Sequence, residues 1–391
     1  MPPAPADLGV YVHIPFCERV CPYCDFAVVA RRRIDAAEEQ RLVAALLTEA
    51  RARAGAFAGA GLRTLYLGGG TPSLLQPASV ERLVGELRAL FAPGPLAEVT
   101  LELNPSTVER SRLPGFRRAG VDRLSVGVQS FDDALLRRLG RAHRAEEARA
   151  TLAAARRAGF ENLSLDLIFG IPGQTRGQLE RDLERLLGHA PVHVSAYALT
   201  VEPGTPLATA VERGQLAMPD DDRTASFMET VAARLEGAGL HRYETSSYAY
   251  PGWEARHNRR YWERRAVLGL GVGAHSYEPP GAEAPHGRRR ANERELSAWL
   301  ARVEKGGAAR PPHDERLDAR EARCEAALLA LRMREGISLE GFRAEFGSEP
   351  ERVWPALRRL RAEGLLEQRG DRLRLTERGW LLSDGIFAEL V

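Results

Sequence analysis

The sequence predicts an α/β protein: a barrel or partial barrel of parallel strands wrapped by helices, followed by a small winged-helix-like domain. Three observations lead there. Short apolar runs alternate with longer amphipathic ones from residue 9 to about 238. No G-x-G-x-x-G stretch follows the first run, which argues against a doubly wound dinucleotide-binding sheet. From about residue 315 the pattern changes to closely spaced helices and a hairpin.

The strand-like runs are GVYVHI (9–14), TLYL (64–67), EVTLEL (98–103), DRLSVGV (122–128), NLSLDLIF (162–169) and VHVSAYAL (192–199). Read as near-continuous apolar segments, they imply parallel strands buried on both faces. The intervening stretches EEQRLVAALLTEAR, ASVERLVGELRALF and RGQLERDLERLLGH carry the helical period. Six such units give a (β/α)6 core over residues 1–238, whose ligands are expected at the C-terminal ends of the strands. Residues 239–314 read as an irregular connecting region that holds HNRRYW (257–262) and an exposed polar loop, PPGAEAPHGRRRAN. Residues 315–391 read as helices near 318–334, 338–346 and 349–364, then a hairpin in GLLEQRGDRLRLT.

Composition narrows the functional classes. A net charge of +2 leaves no global field for nucleic acid or an acidic membrane. Arg358, Arg359 and Arg361 form a short basic cluster in the C-terminal module, but acidic residues interleave with it and no DNA binding is expected. With no run of about 18 apolar residues and no secretory leader, the protein is expected to be cytoplasmic, with at most transient membrane association. In that compartment thiols stay reduced, and clustered cysteines suggest metal more than disulfide.

Three of the four cysteines, Cys17, Cys21 and Cys24, lie in YVHIPFCERVCPYCDF. The C-x-x-x-C-x-x-C spacing puts three thiols on one loop after the first strand. Three sulfurs alone do not close a tetrahedral zinc site. They do suit a cubane in which each thiolate holds one iron and the fourth iron stays open to a small molecule. A zinc knuckle completed by a distant histidine, or unmatched structural cysteines, are the alternatives at this point. Cys324, in a helical pattern, reads as a small buried apolar residue.

These motifs resemble the radical S-adenosylmethionine (SAM) superfamily, in its HemN/HemW branch. The resemblance is carried by YVHIPFC, CPYCDF, YLGGGTPS, LELNP, GVQSF, LDLIFGIPGQT and ALTVEPGTPL, and runs from Tyr11 to beyond residue 275. It implies a partial (β/α)6 TIM-like barrel, a 4Fe–4S cluster on Cys17, Cys21 and Cys24, and bound SAM. By position, Tyr11, Tyr23, Gly69, Gly70, Thr71, Glu102, Gln129, Arg141 and Asp166 match SAM contacts; core packing is an equal reading for Tyr11. No residue is assigned a catalytic role.

The branch contains an oxygen-independent coproporphyrinogen III dehydrogenase and a haem chaperone. The dehydrogenase has a further cysteine two residues after the third, where this chain has Phe26. It also has an N-terminal extension, expected to be missing here because the cluster motif begins at residue 11. HNRRYW matches the H-N-x-x-Y-W motif of the chaperone side. The resemblance therefore implies haem as cargo, delivered to acceptor haemoproteins such as those of a respiratory chain, and an electron donor for the cluster. His257, Asn258, Tyr261 and Trp262 are the expected haem-binding residues, with Arg256, Arg259 and Arg260 placed to meet propionates and His275 as a second candidate ligand.

Overall fold

The six expected strands form: β1 (Asp7–Ile14), β2 (Gly61–Gly69), β3 (Glu98–Leu103), β4 (Arg123–Gln129), β5 (Asn162–Phe169) and β6 (His193–Ala198). They pair in that order and all in parallel in the computed structural model, which describes residues 7–390. Helices α1 (Ala36–Arg53), α2 (Pro77–Leu90), α3 (Thr107–Arg118), α4 (Ala145–Arg157), α5 (Arg176–Leu187) and α6 (Asp221–Gly237) connect or flank them. Asp35, Ser106, Thr175 and Asp220 each cap a helix by accepting a backbone N–H.

The strands alternate rather than running apolar throughout. Val10, Val12, Leu65, Leu67, Leu101, Val126 and Leu165 join the helices in one large apolar cluster. The opposite face is polar, and the register lines it up across the wall. Tyr66 pairs with Thr100 and Thr100 with Arg123, while Glu102 pairs with Ser125, Ser125 with Ser164, and Asp166 with Ser195. The sequence pattern hid this because threonine, serine and tyrosine break an apolar run only weakly.

The region 239–314 is not an irregular connector; it extends the sheet at both edges. Beyond β6 lie β7 (His241–Glu244) and β8 (Ser247–Ala249), antiparallel. Beyond β1 lie β9 (Val267–Leu270), parallel to β1, and then β10 (His275–Glu278), β11 (Arg288–Ala291) and β12 (His313–Arg316), antiparallel. The GRRRAN stretch is therefore strand rather than loop, and its arginines are paired: Arg288 with Asp314, Arg289 with Glu325, and Arg290 with Glu278. The sheet order is β12-β11-β10-β9-β1-β2-β3-β4-β5-β6-β8-β7, a wall of twelve strands with two free ends and so a partial barrel.

The C-terminal unit has its own apolar cluster, built on α8 (Ala319–Leu331), α9 (Leu339–Phe346) and α10 (Ala356–Ala362) with the three-stranded sheet of Ile337–Ser338, Leu366–Arg369 and Arg372–Leu375. The chain leaving α8 runs beside β7: Arg334 N–H donates to Tyr243 O at 3.0 Å and Thr245 N–H to Arg332 O at 3.0 Å. An otherwise open strand edge is covered in this way. Among the described residues no helix is long and apolar enough to cross a membrane.

The seven-residue helix α7 (Arg256–Trp262) closes the barrel at the N-terminal ends of its strands. Glu98, the first residue of β3, holds it by accepting from the backbone N–H of Arg256 at 2.9 Å and of His257 at 3.0 Å. Glu98 is buried and faces the equally buried Arg123. Glu98→Ala would strip the helix start of its acceptors and remove the strongest counter-charge on the Arg123 guanidinium. It should cost about 3 kcal/mol in urea unfolding followed by circular dichroism. A loss below about 1 kcal/mol would mean that α7 is held by packing alone.

Candidate cluster and cofactor site

At the other end of the wall, β1 stops at Ile14 and the cysteine loop begins. Phe16–Cys17 pairs in parallel with Val29–Ala30, and Val29 N–H donates to Pro15 O at 2.7 Å, so the loop returns to its own start. His13 fastens the far side. Its Nε2–H donates to Ala27 O at 3.0 Å, which leaves Nδ1 to accept from Tyr11 OH at 3.1 Å. Burial lowers the His13 pKa to about 4 and keeps the ring neutral for that pair of bonds. Cys17, Cys21 and Cys24 are half-buried free thiols on this loop.

The glycines after β2 permit the close approach. Gly69 has φ +106°, and a Cβ there would lie 2.5 Å from the His13 ring; one at Gly70 would lie 2.6 Å from Phe16 O. Gly70 N–H donates to Ile14 O and Thr71 N–H to Phe16 O, both at 2.8 Å. The Thr71 hydroxyl then points at Cys17 Sγ, 3.6 Å away. From the opposite side Arg141 Nη1 reaches Cys21 Sγ at 3.6 Å. Tyr23, half-buried, packs on Leu135, Leu139, Ile168 and Ile171.

Below the loop two carboxylates lack a matched cation. Glu102 accepts from Tyr66 OH at 2.7 Å and from Gly69 N–H at 3.0 Å, yet burial pushes its pKa up to about 7. Asp166 accepts from Ser125 Oγ at 3.2 Å, and burial pushes it up to about 6. Gln129 sits in the left-handed region at φ +63°, and its Oε1 is buried with no hydrogen-bond partner, as is Arg141 Nε. A cavity of about 300 Å³ opens on the Tyr11 and Gly69 side, lined also by Phe26, Tyr261, His275 and Arg294.

The donor set fits a cluster with a cationic ligand. Burial raises the Cys17 thiol to about 11 and Cys24 above its ordinary value, so a metal must draw off their protons to bind. Among the described residues no three His, Cys, Asp or Glu side chains converge on a point that would hold a single ion. A cubane makes no such demand, because each sulfur takes its own iron. Glu102, Gln129, Arg141 and Asp166 offer the leftover donors, acceptors and negative charge that a zwitterionic, cationic cofactor would use.

The second group of expected residues is placed differently. His257 is 1 % exposed, and both ring nitrogens are engaged: Nδ1 with Thr64 Oγ1 at 2.9 Å and Nε2 with Tyr261 OH at 3.3 Å. Its ring lies 5.2 Å from that of Tyr66, and burial lowers its pKa to about 3. In this structure the His257 imidazole is thus a buried part of the barrel floor, with both nitrogens engaged. Arg260 is buried on Asp7 and Ala266 O, and Arg259 pairs with Glu263 and Glu335, so neither is free for a propionate. Asn258 is half-buried on the same helix. Trp262 packs on Tyr243, Ala249 and Met333 under the Arg332 guanidinium, 4.3 Å from the ring. His275, by contrast, is exposed on the cavity rim.

Comparison with known proteins agrees with this geometry. The radical SAM superfamily model matches residues 11–186 and the HemN C-terminal domain model residues 317–382. The haem chaperone HemW of Bacillus subtilis is 34 % identical over 97 % of this chain and 98 % of its own. That of Mycobacterium tuberculosis is 38 % identical over 98 % and 94 %. The chain belongs to the HemW family. The solved structure of coproporphyrinogen III oxidase (HemN) from Escherichia coli superposes with a TM-score of 0.82 at 24 % identity, covering 99 % of this chain and 90 % of that one, and so shares the fold.

The two raised carboxylates make a pH-dependent prediction for the cofactor-free protein. A folded pKa near 7 against an ordinary 4.5 means that Glu102 favours folding while protonated and loses that contribution as pH rises from about 4.5 through 7. Glu102→Gln, which cannot ionise, should therefore gain thermal stability over the wild type progressively between pH 5 and pH 8. A melting-temperature difference that stays flat across that range would contradict the assignment of an uncompensated charge.

Proposed function

We propose that this chain is a cytoplasmic haem chaperone that carries a 4Fe–4S cluster and SAM and passes haem to acceptor haemoproteins. The observation that carries this reading is near-full-length similarity to proteins named as haem chaperones, joined to a loop of three free thiols at the C-terminal end of the first strand. Cys17, Cys21 and Cys24 hold the cluster, and the ligand set leaves one iron to the amino and carboxylate groups of SAM. Glu102 and Asp166 would meet the cofactor's positive charge and hydroxyls, and Tyr11, Tyr23, Gly69, Gly70, Thr71, Gln129 and Arg141 would be the residues that hold it. When reduced, such a cluster supplies one electron, from a donor protein, for cleavage of SAM.

Haem is assigned to the cavity mouth rather than to α7. His275 lies on the rim, and partial desolvation of its ring, with Arg289, Arg294 and His313 nearby, lowers its pKa, so a neutral imidazole nitrogen is available for iron. Phe26, 66 % exposed, offers an apolar ring on the same rim for a macrocycle. HNRRYW then serves by closing the floor, with Tyr261 reaching up to line the cavity.

Reconstitution without oxygen should give about four irons per chain in the wild type. Cys17→Ala, Cys21→Ala or Cys24→Ala should each abolish the cluster absorbance, while Cys324→Ala keeps it; a stable zinc with no iron uptake would refute the cluster. Haem titration should show a Soret shift and about tenfold weaker binding in His275→Ala. His257→Ala should keep the wild-type Soret position and lose stability instead. The reverse pattern would return the ligand to HNRRYW. With SAM and dithionite the protein should bind haem yet release no carbon dioxide from coproporphyrinogen III, and multiple turnovers would make it a decarboxylase.

A further inference from the structure

Asn104 follows β3 in the LELNP stretch and takes no part in the assignments above. Its side chain sits between the two groups that reach cysteine sulfur. Asn104 Nδ2 donates to Thr71 Oγ1 at 2.7 Å, and Asn104 Oδ1 accepts from Arg141 Nη2. Thr71 Oγ1 donates in turn to Cys17 Sγ, and Arg141 Nη1 to Cys21 Sγ, each at 3.6 Å. A bond from Arg141 Nη2 to Gly127 O at 3.1 Å fixes the guanidinium in place. The five side chains form one polar chain from Cys17 to Cys21.

Proton inventory gives that chain a direction. Arg141 has only donors, so the carbonyl end of the Asn104 amide must face it; the flipped amide would set NH₂ against guanidinium. The amide NH₂ is then committed to Thr71. A threonine hydroxyl has one proton, and with a donor already on its oxygen that proton is directed to Cys17. Asn104 thus sets which way the Thr71 hydroxyl points and where Arg141 rests.

We propose that Asn104 is a positioning residue for the cluster, aiming Thr71 and Arg141 at the sulfurs of Cys17 and Cys21 and thereby raising the cluster's reduction potential. The proposal rests on the cluster assignment. Hydrogen bonds to cluster-bound thiolates stabilise the reduced, more negative state, so their number and aim set the potential.

The test is a redox titration of anaerobically reconstituted full-length protein, followed by the electron paramagnetic resonance of the reduced cluster. Asn104→Ala should keep its iron and shift the midpoint to more negative potential. One donor lost corresponds to about a fivefold change in the reduction equilibrium, or about 40 mV for one electron. Thr71→Val should shift it in the same direction, and the double variant should shift by less than the sum, because both act on one chain. Asn104→Asp gives a near-isosteric check: its carboxylate keeps Arg141 but accepts the Thr71 proton, so its potential should also fall. Unchanged potentials at full iron content, or strictly additive shifts, would overturn the proposal. Loss of iron from both Asn104 variants would also overturn it, by making Asn104 a structural support. A wild type that takes up no iron would fail the cluster assignment itself and is told apart by its own iron content.

Discussion

Buried carboxyl groups inside the barrel with no cation in direct contact are the constraint on which the rest of the structure depends. Glu98, Glu102 and Asp166 all project from the polar face of the wall, and Arg123 is the buried guanidinium set among them. Glu98 spends its carboxylate on the start of α7 and on Arg123. Glu102 and Asp166 are left with hydroxyl and amide partners, which do not offset the loss of solvation. An interior of this kind favours a cationic ligand at the top and needs a tight seal at the bottom.

The two ends of the barrel answer those needs with different chemistry. The floor is neutral and closed, built from His257, Tyr261 and Thr64 under a helix whose N-terminus is held by a carboxylate. The mouth is open, with three thiols, two leftover polar atoms and a cavity rim carrying Phe26 and His275. Tyr11 spans the two: it bonds to His13 under the cysteine loop and lies 6.5 Å, ring to ring, from His257 on the floor. Function is expected at the mouth, and the floor residues keep it in shape.

What could be read from the sequence was local. Cysteine spacing, the glycine turn after β2 and the six parallel strands are encoded in neighbouring residues, and each falls where the pattern puts it. What could not be read depends on distant partners. The His257 imidazole looks available in HNRRYW until Thr64, 193 positions earlier, occupies one of its nitrogens. Strands β7 to β12 have three or four residues each, too few for a period, and β9 pairs with β1 across 258 positions of sequence, Gly9 with Val267. Asn104 was visible only as one letter of a motif, because its two partners come from the turn after β2 and from beyond β4. The same limit hid the polar lining, which becomes evident only when the strands are set in register.

The central claim, that a cation completes an under-compensated interior, is tested most directly by counting protons released when SAM binds the reconstituted protein. Calorimetry at pH 7 in buffers of different ionisation enthalpy gives that number. Binding should ionise Glu102, so the wild type should release more protons than Glu102→Gln under the same conditions. Equal release from the two proteins would show that Glu102 is already charged without a ligand, and the account of the interior would fail.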